Sequence, residues 1–319
     1  MPRQSAGLRR WHVRIRVSRS AILCRVQRRG GHHDRVPPQI LTVAPGESSR
    51  AGWVVDAARR RGLVLGGLEV VGDRHYWGGP LWAAAHAYEL RVGLLEPHDD
   101  WLSGLPGRRL GRSVRLMTLD AARHAGRRFV KPPSSKDFPA RVYSDGADLA
   151  SATAGLALDM PVLVSDVVEF AAEYRLFVLD GRVHTGSRYA TWGHLDLGTL
   201  LTAEGSRVVA YAEELLGEMG DTLPSAVVLD VGLVGPPGEP RRDAVVVEAN
   251  MAWFAQPYRA DTDRVLDVVM RAAGPLDRVS DSDRPFVRRH PHVLDAAGVI
   301  APAAADSLQR ADVREGARE

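Results

Sequence analysis

Two carboxylates and an amide sit where apolar runs end. Asp230 lies inside "VVLDVGLV", and Glu248 and Asn250 close "AVVVEAN". Side chains two apart on a strand face the same side, so Glu248 and Asn250 point together. Asp230 can join them from a neighbouring strand. Carboxylates are costly to bury among valines without a cation. Two carboxylates and an amide oxygen form a hard donor set. That set suits Mg²⁺, which usually also takes phosphate oxygens from a substrate. The alternative is that the three residues cap strand ends and bind water.

A second feature is the pair of lysines in "RFVKPPSSKDFPARVY". Lys131 and Lys136 are the only lysines among the 42 basic residues, all the others being arginine. A background that turns any interchangeable Lys into Arg has left these two. They are candidates for a task that needs a compact ammonium rather than a planar fork. The alternative is chance survival on a loop.

The elements that must position these groups can be read from pattern. "QILTVA" reads as a strand, and Ser48 or Ser49 can cap a helix that Gly62 ends. "LEVVG" and "RVGLLEP" read as further strands, with a Gly78-Gly79 turn and a helix between them. Strands alternating with helices predict a small parallel sheet, an α/β lobe over residues 37–114. A linker-like "PGRRLGRS" follows. Residues 115–275 then read as α+β with antiparallel hairpins. Asp180-Gly181 supplies one hairpin turn, "AEGSRVVAYAEELLGEMG" an amphipathic helix and "DTDRVLDVVMRAA" a closing helix. Residues 276–319, polar and rich in Ala and Pro, read as a poorly ordered tail. The two histidines of "HPHVLD" within it lack the further ligands a metal site needs.

In this order the motifs resemble the ATP-grasp superfamily, over roughly Arg115 to Ala273. The resemblance rests on "FVKPP", "SSKDF", the hinge "VLVSDVV", Glu173 seven residues after Asp166, and "LDVG" with "VVEANMAW". It is strongest to compact, stand-alone members of unassigned substrate. It implies two facing α+β lobes with ATP between them. Lys131 would contact the α- and β-phosphates, and Lys136 the β- or γ-phosphate. Backbone groups of Ser165, Asp166, Val167 and Val168 would meet the adenine edge, and Glu173 the ribose. Asp230, Glu248 and Asn250 would hold Mg²⁺. Arg175, and Arg141 beside the lysine loop, would neutralise the transferring phosphoryl group or else line a solvated strand face. Two departures stand out. "PPSSKDFP" lacks the glycines of a typical lid, and the hinge carries Asp166 where Glu is usual. His184, Arg188, Tyr189, Trp192, Trp253 and Tyr258 should border the site, as acceptor contacts or as edge packing.

The implied activity is an ADP-forming ligase. A carboxylate from a small molecule, peptide or protein would be phosphorylated by ATP and joined to an amine or similar nucleophile. Two alternatives come from other classes: a non-catalytic ATP-binding switch, and a nucleic-acid-associated protein using a basic arm. Met1 to Val36 carries ten Arg against one Asp, a net +9, so the rest of the chain is −6 against the total of +3. That arm reads as disordered, or as sequence upstream of the true start, more readily than as a nucleic-acid surface. Cys24 is the single cysteine, so no internal disulfide can form, which fits a reducing cytoplasm. No apolar run reaches the length of a membrane span.

Overall fold

The computed structural model describes residues 37–47, 50–134, 137–235, 243–289, 293–294 and 300–301. The basic arm, Ser48, Ser49, Lys136, the "HPH" histidines and most of the expected tail lie outside these residues.

The first lobe begins with strand β1 (Gln39–Val43) and helix α1 (Gly52–Arg60), which Gly62 terminates at a φ of +72°. Strands β2 (Val64–Leu65) and β3 (Asp73–Trp77) flank β1 in a parallel sheet of order β2-β1-β3. This matches the expected sheet type but not the expected strands. "LEVVG" is not a strand, and Val71 points into solvent. The pairing run is "DRHYW" instead, buried from Arg74 to Trp77. A strand covered on both faces need not alternate, so periodicity alone could not reveal it.

Helices α2 (Pro80–Ala85) and α3 (Ala87–Leu90) follow the turn. A Cβ on Gly78 would meet the Ala44 Cβ at 2.3 Å, so this glycine serves close chain packing. Strand β4 (Val92–Leu94) does not join the parallel sheet. It pairs antiparallel with a strand from the other end of the chain, described below.

Helices α4 (Trp101–Gly104) and α5 (Gly107–Leu110) occupy the region that reads as a linker. It is packed because Arg109 is buried and bonded to Glu214 and Glu218, each at 2.8 Å. Next come β5 (Val114–Thr118), α6 (Leu119–Ala122), β6 (Arg128–Lys131), β7 (Arg141–Tyr143), α7 (Gly146–Ala152) and β8 (Pro161–Ser165). Their four strands form an antiparallel sheet of order β5-β8-β6-β7. Val130, Val162 and Val164 pack on Leu119 and Leu149 of the two helices.

The third sheet contains β9 (Ala172–Leu179), β10 (Arg182–Thr191), β11 (His194–Thr199), β12 (Ala226–Val234) and β13 (Asp243–Asn250) in the order β11-β10-β9-β12-β13. Asp180 and Gly181, both at positive φ, make the β9–β10 turn. One face of this sheet, with Tyr174, Leu176, Leu229 and Val231, packs on helix α8 (Ala203–Met219). The other face, with Phe177 and Val228, packs on helix α9 (Thr262–Ala272) and the first lobe. Strand β14 (Ala273–Pro275) then pairs with β4.

The chain expected to loosen from Ser280 instead packs down through residue 289. Phe286 is buried, and Val287 bridges Leu95. Buried Asp283 accepts from the Ser225 N–H and hydroxyl, each at 2.7 Å, and from the Ser280 hydroxyl at 2.9 Å. Polar composition suggested disorder, but these polar groups satisfy one another.

Candidate active site

Lys131 is the last residue of β6, and Pro132 cannot extend the ladder. Its ammonium donates to Glu248 Oε2. Glu248 lies directly opposite Asp230 on β12, and Asp230 directly opposite Arg175 on β9. Three neighbouring strands thus carry a row of alternating charge. Arg175 grips Asp230 with both arms, Nε to Oδ1 at 2.9 Å and Nη2 to Oδ2 at 2.7 Å. The Asn250 amide donates to Glu248 at 2.7 Å and to Asp230 at 3.3 Å. The structure therefore brings Lys131, Arg175, Asp230, Glu248 and Asn250 into one group.

Burial governs the electrostatics. It pushes the Asp230 carboxyl above its ordinary range, although Arg175 opposes the rise. Burial pushes Glu248 the same way, but the charge and hydrogen bond of Lys131 outweigh it and hold that carboxyl low. Glu173 accepts from the Tyr189 hydroxyl at 2.6 Å, and burial raises its carboxyl. Tyr189 stacks on Tyr258 at 5.1 Å, and the Arg175 guanidinium sits over both rings, at 5.7 and 5.3 Å.

The hinge residues are held by short-range bonds. Ser165 ends β8 and its hydroxyl donates to the Asp166 carbonyl at 2.8 Å. Asp166 exchanges two bonds with Ser113, its N–H donating at 3.1 Å and its carboxylate accepting at 3.0 Å. The Asp166 side chain is thus used within the protein, while Val167 is exposed. Arg112, from the stretch that reads as a linker, bonds both Ser165 and the β13 backbone. Its position between helix and strand gave no sequence signal.

Arg141 is placed elsewhere. Its guanidinium is bound to Asp148 at 2.6 and 3.0 Å and lies over the Tyr143 ring. His184 pairs with Asp267 and Arg188 with Asp196, both away from the charged row. Trp253 is fully buried and donates to the Leu95 carbonyl at 2.9 Å, a core role. Of the expected bordering residues, Tyr189 and Tyr258 reach the group.

A cleft opens beside Lys131, Glu248 and Asn250, and Glu96, His98 and Ser134 also line it. Among the described residues, no three His, Cys, Asp or Glu side chains converge as a metal cage. The set present is two acids and an amide. That donor set fits Mg²⁺ when phosphate oxygens complete the shell, and it fits less well an ion held by protein alone. Each acid already has an internal cation, so the apoprotein avoids an uncompensated buried charge.

Residues 110–268 match the model of an ATP-grasp domain family, the second family of its clade. The chain belongs to the ATP-grasp superfamily. Among solved structures, this ATP-grasp chain is similar to a RimK domain protein from Sphaerobacter thermophilus, at 13% identity and a TM-score of 0.44, over 73% of this chain and 99% of that one. It is also similar to D-alanine–D-alanine ligase from Bacillus anthracis, at 12% identity and a TM-score of 0.44, over 74% and 97%. A third is the ATP-grasp ligase PsnB complexed with minimal precursor, at 14% identity and a TM-score of 0.39, over 74% and 99%. None of the curated proteins matches the chain. No helix among the described residues of this ATP-grasp protein is long and apolar enough to cross a membrane.

Proposed function

We propose that this protein binds ATP and works as an ADP-forming ligase. A substrate carboxylate attacks the γ-phosphate to form an acyl phosphate, and ADP leaves. An amine or similar nucleophile then attacks the acyl carbon, loses its proton, and phosphate leaves. The observation that carries this reading is the row Lys131–Glu248–Asp230–Arg175 beside an open cleft in an ATP-grasp chain. Such chemistry needs little covalent help from protein. It needs positioning and charge neutralisation along a phosphate chain.

Lys131 leaves Glu248 for the α- and β-phosphates, and Lys136 supplies a second ammonium nearer the γ-phosphate. Backbone groups of Ser165, Asp166, Val167 and Val168 take the adenine edge, and Glu173 the ribose. Asp230, Glu248 and Asn250 hold Mg²⁺, which neutralises charge on the triphosphate. Arg175 carries positive charge toward the transferring group while keeping buried Asp230 compensated. The carboxylate donor is a small molecule, peptide or protein segment.

Thermal shift with Mg²⁺–ATP tests the binding. Stabilisation is expected, and Lys131→Ala and Glu248→Gln should each abolish it; no shift in the unmutated protein sinks the reading. ADP release screened against amino acids, peptides and polyamines tests the ligase step. Binding of ATP with no ADP release under any pairing would favour a switch module.

A further inference from the structure

Strand β13 is not regular where it matters. Asp230 pairs with Glu248, but the next residue of β12, Val231, pairs with Val246. Val247 is an extra residue, a β-bulge. Its effect can be read from burial. Val246 is fully buried in the core behind the sheet, on the α8 side. In a regular strand Glu248 would share that face, two residues on. The bulge reverses the phase, so Glu248 and Asn250 turn to the cleft face with Asp230. The candidate phosphate and metal geometry therefore depends on one displaced residue.

Arg112 holds that residue. Its Nη2 donates to the Val247 carbonyl at 2.8 Å, and its Nη1 to the Val246 carbonyl at 2.7 Å and the Leu110 carbonyl at 3.0 Å. Its Nε donates to Ser165 Oγ at 3.1 Å, and that hydroxyl bonds the Asp166 carbonyl of the hinge. The Phe170 ring lies over the guanidinium at 5.5 Å. Phe170 also fills the space above Gly232, where a Cβ would meet its ring at 2.3 Å. One planar fork thus ties the bulge, the hinge and the chain entering β5. A bulge on an edge strand lacks ladder bonds to hold it, so side-chain donors decide whether it persists. Burial lowers the tendency of Arg112 to stay protonated, and the nearby Glu248 charge opposes that.

We propose that Arg112 is a positioning residue that fixes the β13 bulge and so sets Glu248 and Asn250 for the metal–nucleotide complex, coupling them to the adenine hinge. The proposal rests on the ATP-ligase reading for its nucleotide and on the bulge geometry for the rest. Lysine at this position keeps the charge but not the fork, so it can serve only part of the four bonds.

The test compares the unmutated protein with Arg112→Lys and Arg112→Met. Two readouts are taken: hydrogen exchange of the Val246–Asn250 amides without nucleotide, and the Mg²⁺ concentration giving half of the ATP-induced thermal shift. Arg112→Met should speed exchange at the bulge and raise the half-saturating Mg²⁺ by about tenfold or more, with Arg112→Lys between. Should the Met variant fail to fold, the Lys variant carries both measurements. Unchanged exchange at the bulge overturns the proposal. So does a lower melting temperature with unchanged Mg²⁺ dependence, which marks a purely structural residue. If the unmutated protein shows no ATP shift at all, the ligase reading fails, and bulge exchange still decides the role of Arg112 in holding β13.

Discussion

Arg175 and Asp230 face each other across β9 and β12 and share two hydrogen bonds, at 2.9 and 2.7 Å. Asp230 is 1% exposed. A carboxylate this deep keeps its charge only with a fixed partner, and the pair is a structural element before it is a catalytic one. Arg175→Ala should therefore cost about 3–5 kcal/mol, the usual loss when one member of a buried pair is removed. Adding Asp230→Asn to that variant should recover part of the loss, because the uncompensated charge is gone. Denaturant unfolding of the two single variants and the double variant measures the coupling. Strictly additive losses would contradict it.

Lys131 separates two tasks that one side chain performs. Its ion pair with Glu248 is only partly buried, with side chains 14% and 27% exposed. Lys131→Arg retains a cation for Glu248, so stability should change by less than about 1 kcal/mol. A guanidinium is larger and planar, and it fits a crowded triphosphate poorly when an ammonium is expected. ATP affinity should fall by about tenfold or more, read by calorimetric titration with Mg²⁺ present. Full affinity in the Arg variant would remove the argument that the two lysines were kept for their shape.

Much of this site was legible because its chemistry is local in sequence. Glu248 and Asn250 stand two apart at the end of an apolar run, and Lys131 stands before a Pro that ends its strand. What was hidden depends on register or on distant partners. Nothing in "AVVVEAN" announces that Val247 is bulged, because a bulge is a property of two strands together. Arg112 lies in a Gly- and Arg-rich stretch that resembles a linker, yet its acceptors lie 53 and 134 residues away. The Asp73–Trp77 strand was missed because both its faces are covered. The anchored segment at Asp283 was missed because polar residues that bond each other look, by composition, like a solvated tail.

His75 gives the fold a pH dependence of definite sign. It is buried on β3, and its Nδ1 lies 2.8 Å from the Met270 carbonyl of α9. Burial lowers its pKa from the ordinary 6.5. The unfolded chain therefore takes up a proton that the folded chain resists. The contribution is fully present above about pH 6.5 and is lost as pH falls below that value toward the folded-state pKa. The loss is limited to about 1.4 kcal/mol per pH unit for one proton. Melting temperature followed from pH 7.5 to 5 should fall, and His75→Gln should flatten the fall. An unchanged slope in the Gln variant would place the acid sensitivity elsewhere.

Arg141 and Asp148 make the opposite case, a charged pair at the surface. Their side chains are 43% and 29% exposed, and the Arg141 hydrogen bond holds the Asp148 carboxyl down at about 2. Asp148 also accepts from the Ser144 N–H at 3.0 Å, so the pair fastens the turn between β7 and α7. A depressed carboxyl stabilises the fold above its unfolded pKa, and that stabilisation disappears as pH falls through about 2. Arg141→Ala should raise the midpoint of acid unfolding while leaving the Mg²⁺–ATP thermal shift at neutral pH intact. The sequence resemblance implied a phosphoryl-neutralising role for Arg141, and the structure instead commits its guanidinium to Asp148. A variant that unfolds in acid like the unmutated protein but releases no ADP with an accepted substrate pair would restore the catalytic role.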